Sequence, residues 1–298
     1  MAALSQKKSC GQYMDEFKEF MWNPRTREFM GRTGTSWVLI VTFYIVFYAF
    51  LTAIFTLSMW VMLQTIDEYT PTYEDRLTNP GLMIRPKLST LDIEIIPQNS
   101  SSWQSYVDGL NSVLKDYNST IQEQRGTNCT SGVYFKQDDT DVRNYPKKAC
   151  QFVRDNLQDC SGIGNDTTYG YSYGTPCVLI KMNKVINFLP VPISSLSNTS
   201  ITINCSAVKE ANDNLLGNRV YFPSTANNLG SLDLMYFPYY GNRAQQNYTQ
   251  PFVAVKFLNV TRNMVHTVQC VINAGNIITT DTRDLFQGRV IFTLKVSS

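Results

Sequence analysis

The chain has 298 residues, of which 43% are hydrophobic, with 26 Lys and Arg against 24 Asp and Glu. A formal charge of +2 excludes a polybasic nucleic-acid binder, and 12% aromatic residues exclude an intrinsically disordered chain. Seven cysteines and a single histidine, His266, leave little room for metal or histidine-based catalysis.

Residues 1–32 hold six basic side chains: Lys7, Lys8, Lys18, Arg25, Arg27 and Arg32. Residues 33–66 then carry no charge, and from Trp37 to Leu63 the apolar run is broken only by Thr42, Thr52, Thr56 and Ser58. About 20 apolar residues cross a bilayer as a helix, so 37–63 is expected to span one. The run is about twice the length of a signal peptide's apolar region, which argues for an uncleaved anchor. From Gln64 through Met83 the basic residue is Arg76 alone. Basic residues collect on the cytoplasmic side, so the N-terminus is expected inside and the C-terminus outside, in a single-pass type II protein. Within the span, Tyr44, Tyr48, Thr52 and Thr56 recur every four residues. A hydroxyl stripe at mid-membrane favours packing against other helices over contact with lipid alone.

The expected division is a cytoplasmic tail at 1–36, the span at 37–63, an extended stalk at 64–97 and an ectodomain at 98–298. Pro71, Pro80, Pro86 and Pro97 punctuate the stalk. Trp103, Val107, Leu110, Leu114, Tyr117 and Ile121 then follow helical spacing, preceded by Ser100, Ser101 and Ser102 as potential caps. A short helix is expected over 146–160, with Cys150, Val153 and Leu157 on one side. Beyond Cys177 the pattern turns to strands, at 177–188, 201–205, 219–222, 232–237, 252–260, 265–272 and 289–296. Seven short strands with turn-rich connections suggest an antiparallel β-sandwich.

Six cysteines (Cys129, Cys150, Cys160, Cys177, Cys205 and Cys270) lie on the predicted outer side, and Cys10 inside. An even number in an oxidising compartment reads as three disulfides. Zinc is disfavoured because no two are two to four residues apart. Cys205 and Cys270 fall on two of these strands, and a bridge between them would staple the sheet much as the inter-sheet bridge does in immunoglobulin domains. Eight Asn-x-Ser/Thr sites, Asn99, Asn118, Asn128, Asn165, Asn198, Asn204, Asn247 and Asn259, all fall outside, so N-linked glycans are expected and no other cofactor. The outer part balances 20 basic with 20 acidic residues, which argues against electrostatic capture of nucleic acid or anionic lipid.

Catalytic signatures are sparse. The sequence has neither a phosphate-binding Gly-x-x-x-x-Gly-Lys-Ser/Thr loop nor a Gly-x-Ser-x-Gly elbow. Asp139-Thr140-Asp141 matches the Asp-x-Asp of metal-dependent glycosyltransferases but sits in an acidic turn. His266 reads as structural. The rivals from other classes are a glycosyltransferase and a cell-adhesion or lectin-like receptor.

Ordered motifs run the length of the chain. They include Trp22-Asn23-Pro24, the segment Gly31 to Trp37, Phe43-Tyr44 with Phe47-Tyr48, and the segment Tyr69 to Arg76. Cys160-Ser161-Gly162, Pro176-Cys177, Lys181-Met182-Asn183, Tyr236 to Gly241 and Val253 to Lys256 follow. Together they resemble the beta subunit of the Na+/K+- and H+/K+-transporting P-type ATPases. The opening residues are gastric-like, and the remainder is closer to the second Na+/K+ beta isoform or an amphibian-type beta.

The resemblance implies a non-catalytic glycoprotein of the plasma membrane. It would help fold, insert and deliver a catalytic alpha subunit and tune K+ affinity, with a small single-span regulatory subunit and membrane lipid as further partners. It implies sequential bridges, Cys129–Cys150, Cys160–Cys177 and Cys205–Cys270, and an immunoglobulin-like sandwich with inserted helices. It also implies contact with the alpha subunit through Phe43, Tyr44, Phe47 and Tyr48 in the membrane and Tyr239, Tyr240 and Gly241 outside it.

Overall fold

The computed structural model describes residues 10–74, 79–87, 90–139, 143–281 and 283–298. It divides into two units, 1–66 and 67–298.

In the first unit an amphipathic helix α1 (Cys10–Met21) leads into three two-residue strands, β1 (Trp22–Asn23), β2 (Glu28–Phe29) and β3 (Arg32–Thr33), paired as an antiparallel meander. Asn23 shapes the first turn, its Oδ1 accepting from the Arg25 amide at 3.0 Å. Helix α2 (Gly34–Gln64) follows at once, and the Trp37 Nε1 donates to the Phe29 carbonyl at 2.9 Å. At 1.5 Å per residue α2 is about 46 Å long, more than the ~30 Å hydrocarbon thickness. It contains the expected 37–63 span and runs slightly beyond it at both ends. No residue of α2 is buried.

The second unit is a sandwich of two sheets. One has the order β4 (Leu82–Arg85), β6 (Cys177–Met182), β10 (Val253–Leu258) and β8 (Asn218–Phe222). The other runs β5 (Asp92–Ile95), β12 (Arg289–Val296), β11 (Val265–Asn273), β7 (Ser200–Ala207) and β9 (Gly230–Asp233). Alternation is clearest in β12, where Val290, Phe292, Leu294 and Val296 are buried. Phe257 of β10 meets Phe292 of β12 edge to face at 6.2 Å, across the two sheets. The Tyr221 hydroxyl of β8 accepts from the Cys205 amide of β7 at 2.8 Å. All pairings are antiparallel except β5 with β12, which is parallel. Among the described residues every buried side-chain N or O atom has a hydrogen-bond partner.

Several expectations change. The stalk reading fails from residue 82 onward, because Leu82, Ile84, Ile93 and Ile95 are core residues of β4 and β5. Their two short alternating runs lie between prolines, which obscured the period. The helical stripe is interrupted: α3 (Ser100–Leu114) passes through a 3-10 turn at Lys115–Tyr117 and restarts as α4 (Ser119–Arg125). Asn118 adopts an extended conformation there, and its side chain caps α4 through the Thr120 amide. The cap of α3 is Asn99, not the serines, since its Oδ1 accepts from Ser101 N at 3.2 Å.

The helix expected over 146–160 is only a 3-10 segment at Arg154–Cys160. Its first half is held extended, with Cys150 bridged to Thr127 and bonded to Cys129. The 232–237 strand stops at Asp233, whose side chain turns the backbone by accepting from Met235 N. The three disulfides pair as the resemblance implies: Cys129–Cys150, Cys160–Cys177 and Cys205–Cys270. Cys205 and Cys270 are register partners on β7 and β11, so their bridge crosses strands within one sheet and does not join the two.

Candidate partner-binding surfaces

Two surfaces stand out. The first is the aromatic face of α2. Phe43 stacks on Phe47 with ring centroids 6.0 Å apart, and Tyr44 stacks on Tyr48 at 5.9 Å. One helical turn separates each pair, so the four rings form a continuous panel. All four are exposed. One member of the hydroxyl stripe, Thr56, is answered by the helix backbone, as is Ser58 beside it. Thr56 Oγ1 donates to the Thr52 carbonyl at 2.6 Å, and Ser58 Oγ donates to the Ile54 carbonyl at 2.9 Å. Those hydroxyls are satisfied within the helix. A tyrosine hydroxyl points away from its own backbone, so the demand for an outside partner falls on Tyr44 and Tyr48.

The second surface surrounds Tyr239, Tyr240 and Gly241 in the ectodomain. Tyr239 is 8% exposed and packs on Tyr248 at 4.6 Å. The Tyr240 hydroxyl accepts from the Gln137 amide at 2.6 Å, and the Lys147 ammonium lies 5.3 Å from its ring centre. Gly241 is buried with φ +91°, and a Cβ there would lie 3.1 Å from Ile186 Cδ1. Tyr239 and Gly241 are thus spent on internal packing. Of the three, Tyr240 alone is partly open to a partner.

Residues to which the sequence assigned no contact role complete this region. Tyr69 stacks on Tyr145 at 4.4 Å, with the Arg143 guanidinium 5.4 Å and that of Arg243 5.5 Å from its centre. Arg143 pairs with Asp67 at 2.5 Å and Arg243 with Glu68 at 3.2 Å. The Tyr69 amide, then Arg143, hold the Asp67 carboxyl below its ordinary value. The first ectodomain residues are therefore clamped to two later loops. The alternation of cations and rings in Arg143-Asn144-Tyr145-Pro146-Lys147 was the available signal.

Lys147 is buried, donating to the Gln137 carbonyl at 2.7 Å and to Asp139. That hydrogen bond, followed by the Asn144 amide, lowers the Asp139 carboxyl. Asp139 is thus already engaged, while Thr140 and Asp141 of the Asp-x-Asp tripeptide, like Arg76 of the outer flank, lie outside the described residues. Among the described residues no three His, Cys, Asp or Glu side chains gather as a metal site. His266 is buried in β11, its Nε2 2.9 Å from the Thr261 carbonyl.

All eight Asn-x-Ser/Thr asparagines are exposed. Asn99 and Asn118 use Oδ1 for helix capping, which leaves Nδ2, the atom that carries an N-linked glycan, free of that duty.

The family described as "Sodium / potassium ATPase beta chain" matches residues 7–292. The sodium/potassium-transporting ATPase subunit beta-2 of Rhinella marina is 69% identical over 299 residues, covering 99% of each chain. The subunit of that name from Homo sapiens is 54% identical over 297 residues, covering 100% of this chain and 99% of that one. Protein ATP1B4 of Xenopus laevis is 41% identical over 291 residues, or 98% of this chain and 88% of that protein. The beta-2 matches take in the N-terminal segment, so the gastric likeness of the opening residues does not separate this chain from Na+/K+ relatives. A receptor of unrelated class is not favoured.

Proposed function

Because the chain belongs to the sodium/potassium ATPase beta-chain family, and is a non-catalytic subunit associating with that pump's catalytic alpha subunit, we propose that α2 docks on the alpha subunit through Phe43, Tyr44, Phe47 and Tyr48. The observation that carries this reading is that α2 buries none of its residues while presenting four stacked rings on its surface. In a bilayer the gain from such docking is close packing plus a hydrogen bond for each tyrosine hydroxyl, about 0.6 kcal/mol per polar contact.

The basic tail preceding α2 supports a cytoplasmic N-terminus, and the disulfides and exposed glycosylation sequences support an extracellular C-terminal part at the plasma membrane. There the ectodomain covers the alpha subunit's outer loops, with Tyr240 as the accessible member of its Tyr-Tyr-Gly turn. By satisfying a helix face that the alpha subunit would otherwise leave to lipid, the beta chain aids folding, insertion and delivery. Any contact stronger in one pump state also shifts the state equilibrium and with it the apparent K+ affinity.

The test is Tyr44→Ala combined with Tyr48→Ala, co-expressed with the alpha subunit. Reduced co-purification in mild detergent or a shifted K+ activation curve is expected. Wild-type recovery together with an unchanged curve would refute the docking face.

A further inference from the structure

We propose that the ectodomain carries a binding pocket for a small multiply charged oxyanion, of the phosphate or sulfate class, between Arg85, Lys181, Lys184 and Arg125.

The pocket is a cavity of about 380 Å³. Four cations line it against a single carboxylate, Asp116, which pairs with Arg125 at 3.6 Å and leaves Arg85, Lys181 and Lys184 without a carboxylate in the pocket. Arg85 pairs with Leu179 across the β4–β6 register, and Lys181 lies two residues further on. The two cations are therefore diagonal neighbours on one face of a sheet, where unlike charges would be the stabilising choice. Neither is neutralised among the described residues. Arg85 Nη1 donates to the Ile84 carbonyl at 3.0 Å, and Lys181 Nζ donates to Gln250 Oε1 at 3.1 Å. Lys184 faces the rings of Tyr239 and Tyr248 at 5.2 and 5.3 Å.

The remaining wall adds donors. Thr249 Oγ1 accepts from Gln122 Nε2 at 3.0 Å, which leaves its own proton to give. The Tyr117 hydroxyl is committed to the Gln250 carbonyl at 2.9 Å and does not compete. A dianionic oxygen cluster would relieve the cation repulsion and gain charge-assisted hydrogen bonds. Burial, then Arg85 and Lys184, lower the Lys181 ammonium to about 8, and burial lowers Lys184 as well. Arg85, Arg125, Lys184 and Asp116 are the other charged groups facing Lys181. An anion holds Lys181 in its charged form, so binding weakens as pH rises past that value.

The experiment uses the intact alpha–beta complex in detergent. Amine acetylation at neutral pH is followed by mass spectrometry at Lys181 and Lys184, with exposed Lys148 as the internal control. Inorganic phosphate is titrated against chloride at constant ionic strength. Protection follows occupancy, so near saturation Lys181 labelling should slow by about tenfold while Lys148 is unchanged. Arg85→Gln with Lys184→Gln should remove the protection, and Lys184→Gln alone should raise the phosphate needed. Saturation by a sulfated oligosaccharide well below phosphate assigns the site to a terminal glycan group; equal saturation assigns it to the free ion. Failure of both probes to protect Lys181, equal protection of Lys148, retained protection in the double variant, or a Lys181 that does not label in the unliganded complex would each overturn the proposal.

Discussion

Helix α2 and the sandwich solve the burial problem in opposite ways. The sandwich closes on itself: its core residues are covered, and among the described residues no buried polar side chain lacks a partner. Helix α2, apart from the Trp37 contact with Phe29 at its start, stays uncovered, with none of its residues buried. Lipid can cover its aliphatic side chains but cannot answer the hydroxyls of Tyr44 and Tyr48. The ectodomain is thus organised to stand by itself, and the helix is organised to be completed by another chain.

The largest expected break in that contrast is loss of the cross-strand bridge. Cys205→Ser with Cys270→Ser opens a loop of 65-residue separation, worth about 4 kcal/mol in the chain-entropy account. Intracellular retention and protease sensitivity of the beta chain should follow, and a wild-type denaturation midpoint would argue that the strand ladder suffices. Next, Leu110→Ala empties a fully buried position on α3 at a cost of about 3 kcal/mol, read as a lower ectodomain unfolding temperature with unchanged recovery of the alpha subunit at low temperature.

Tyr44→Ala with Tyr48→Ala should do the reverse. Ectodomain melting stays put while association weakens by about 1–2 kcal/mol, or roughly tenfold. A fall in ectodomain melting would show that the two regions are not separable. The smallest effect belongs to the ion pair of Asp213 with Arg219 at 2.7 Å. The hydrogen bond from Arg219 is the chief cause of the lowered Asp213 carboxyl. A folded value below the unfolded one stabilises above about pH 4 and is lost as pH falls through the folded value. Asp213→Asn should therefore cost about 0.5–1 kcal/mol near neutrality, after discounting for solvent screening. Urea titrations at two pH values check this: the gap between variant and wild type should close in acid.

Much of this architecture was legible before folding. The charge-free run at 33–66, the six basic residues ahead of it and the eight outer asparagines are one-dimensional signals, and β12 alternates without interruption. The candidate site was less legible. Phe43, Tyr44, Phe47 and Tyr48 fall on one face because a helix repeats every 3.6 residues, which spacing reveals. The clamp of Asp67, Tyr69, Arg143, Tyr145 and Arg243 joins segments far apart in the chain, and no local period encodes it.

The sequence by itself therefore determined the long apolar helix, the change of charge at its two ends, the six later cysteines and most strands, because hydropathy, charge and alternation are local properties. Tertiary structure decided what long-range packing decides. It turned part of the supposed stalk into β4 and β5, placed the Cys205–Cys270 bridge within one sheet, and sank Tyr239 and Gly241 into the fold. It also gathered Arg85, Arg125, Lys181 and Lys184 around one cavity. The physical reason is common to all four: each depends on which distant surface covers a residue, and that is settled only when the two sheets and their loops close together.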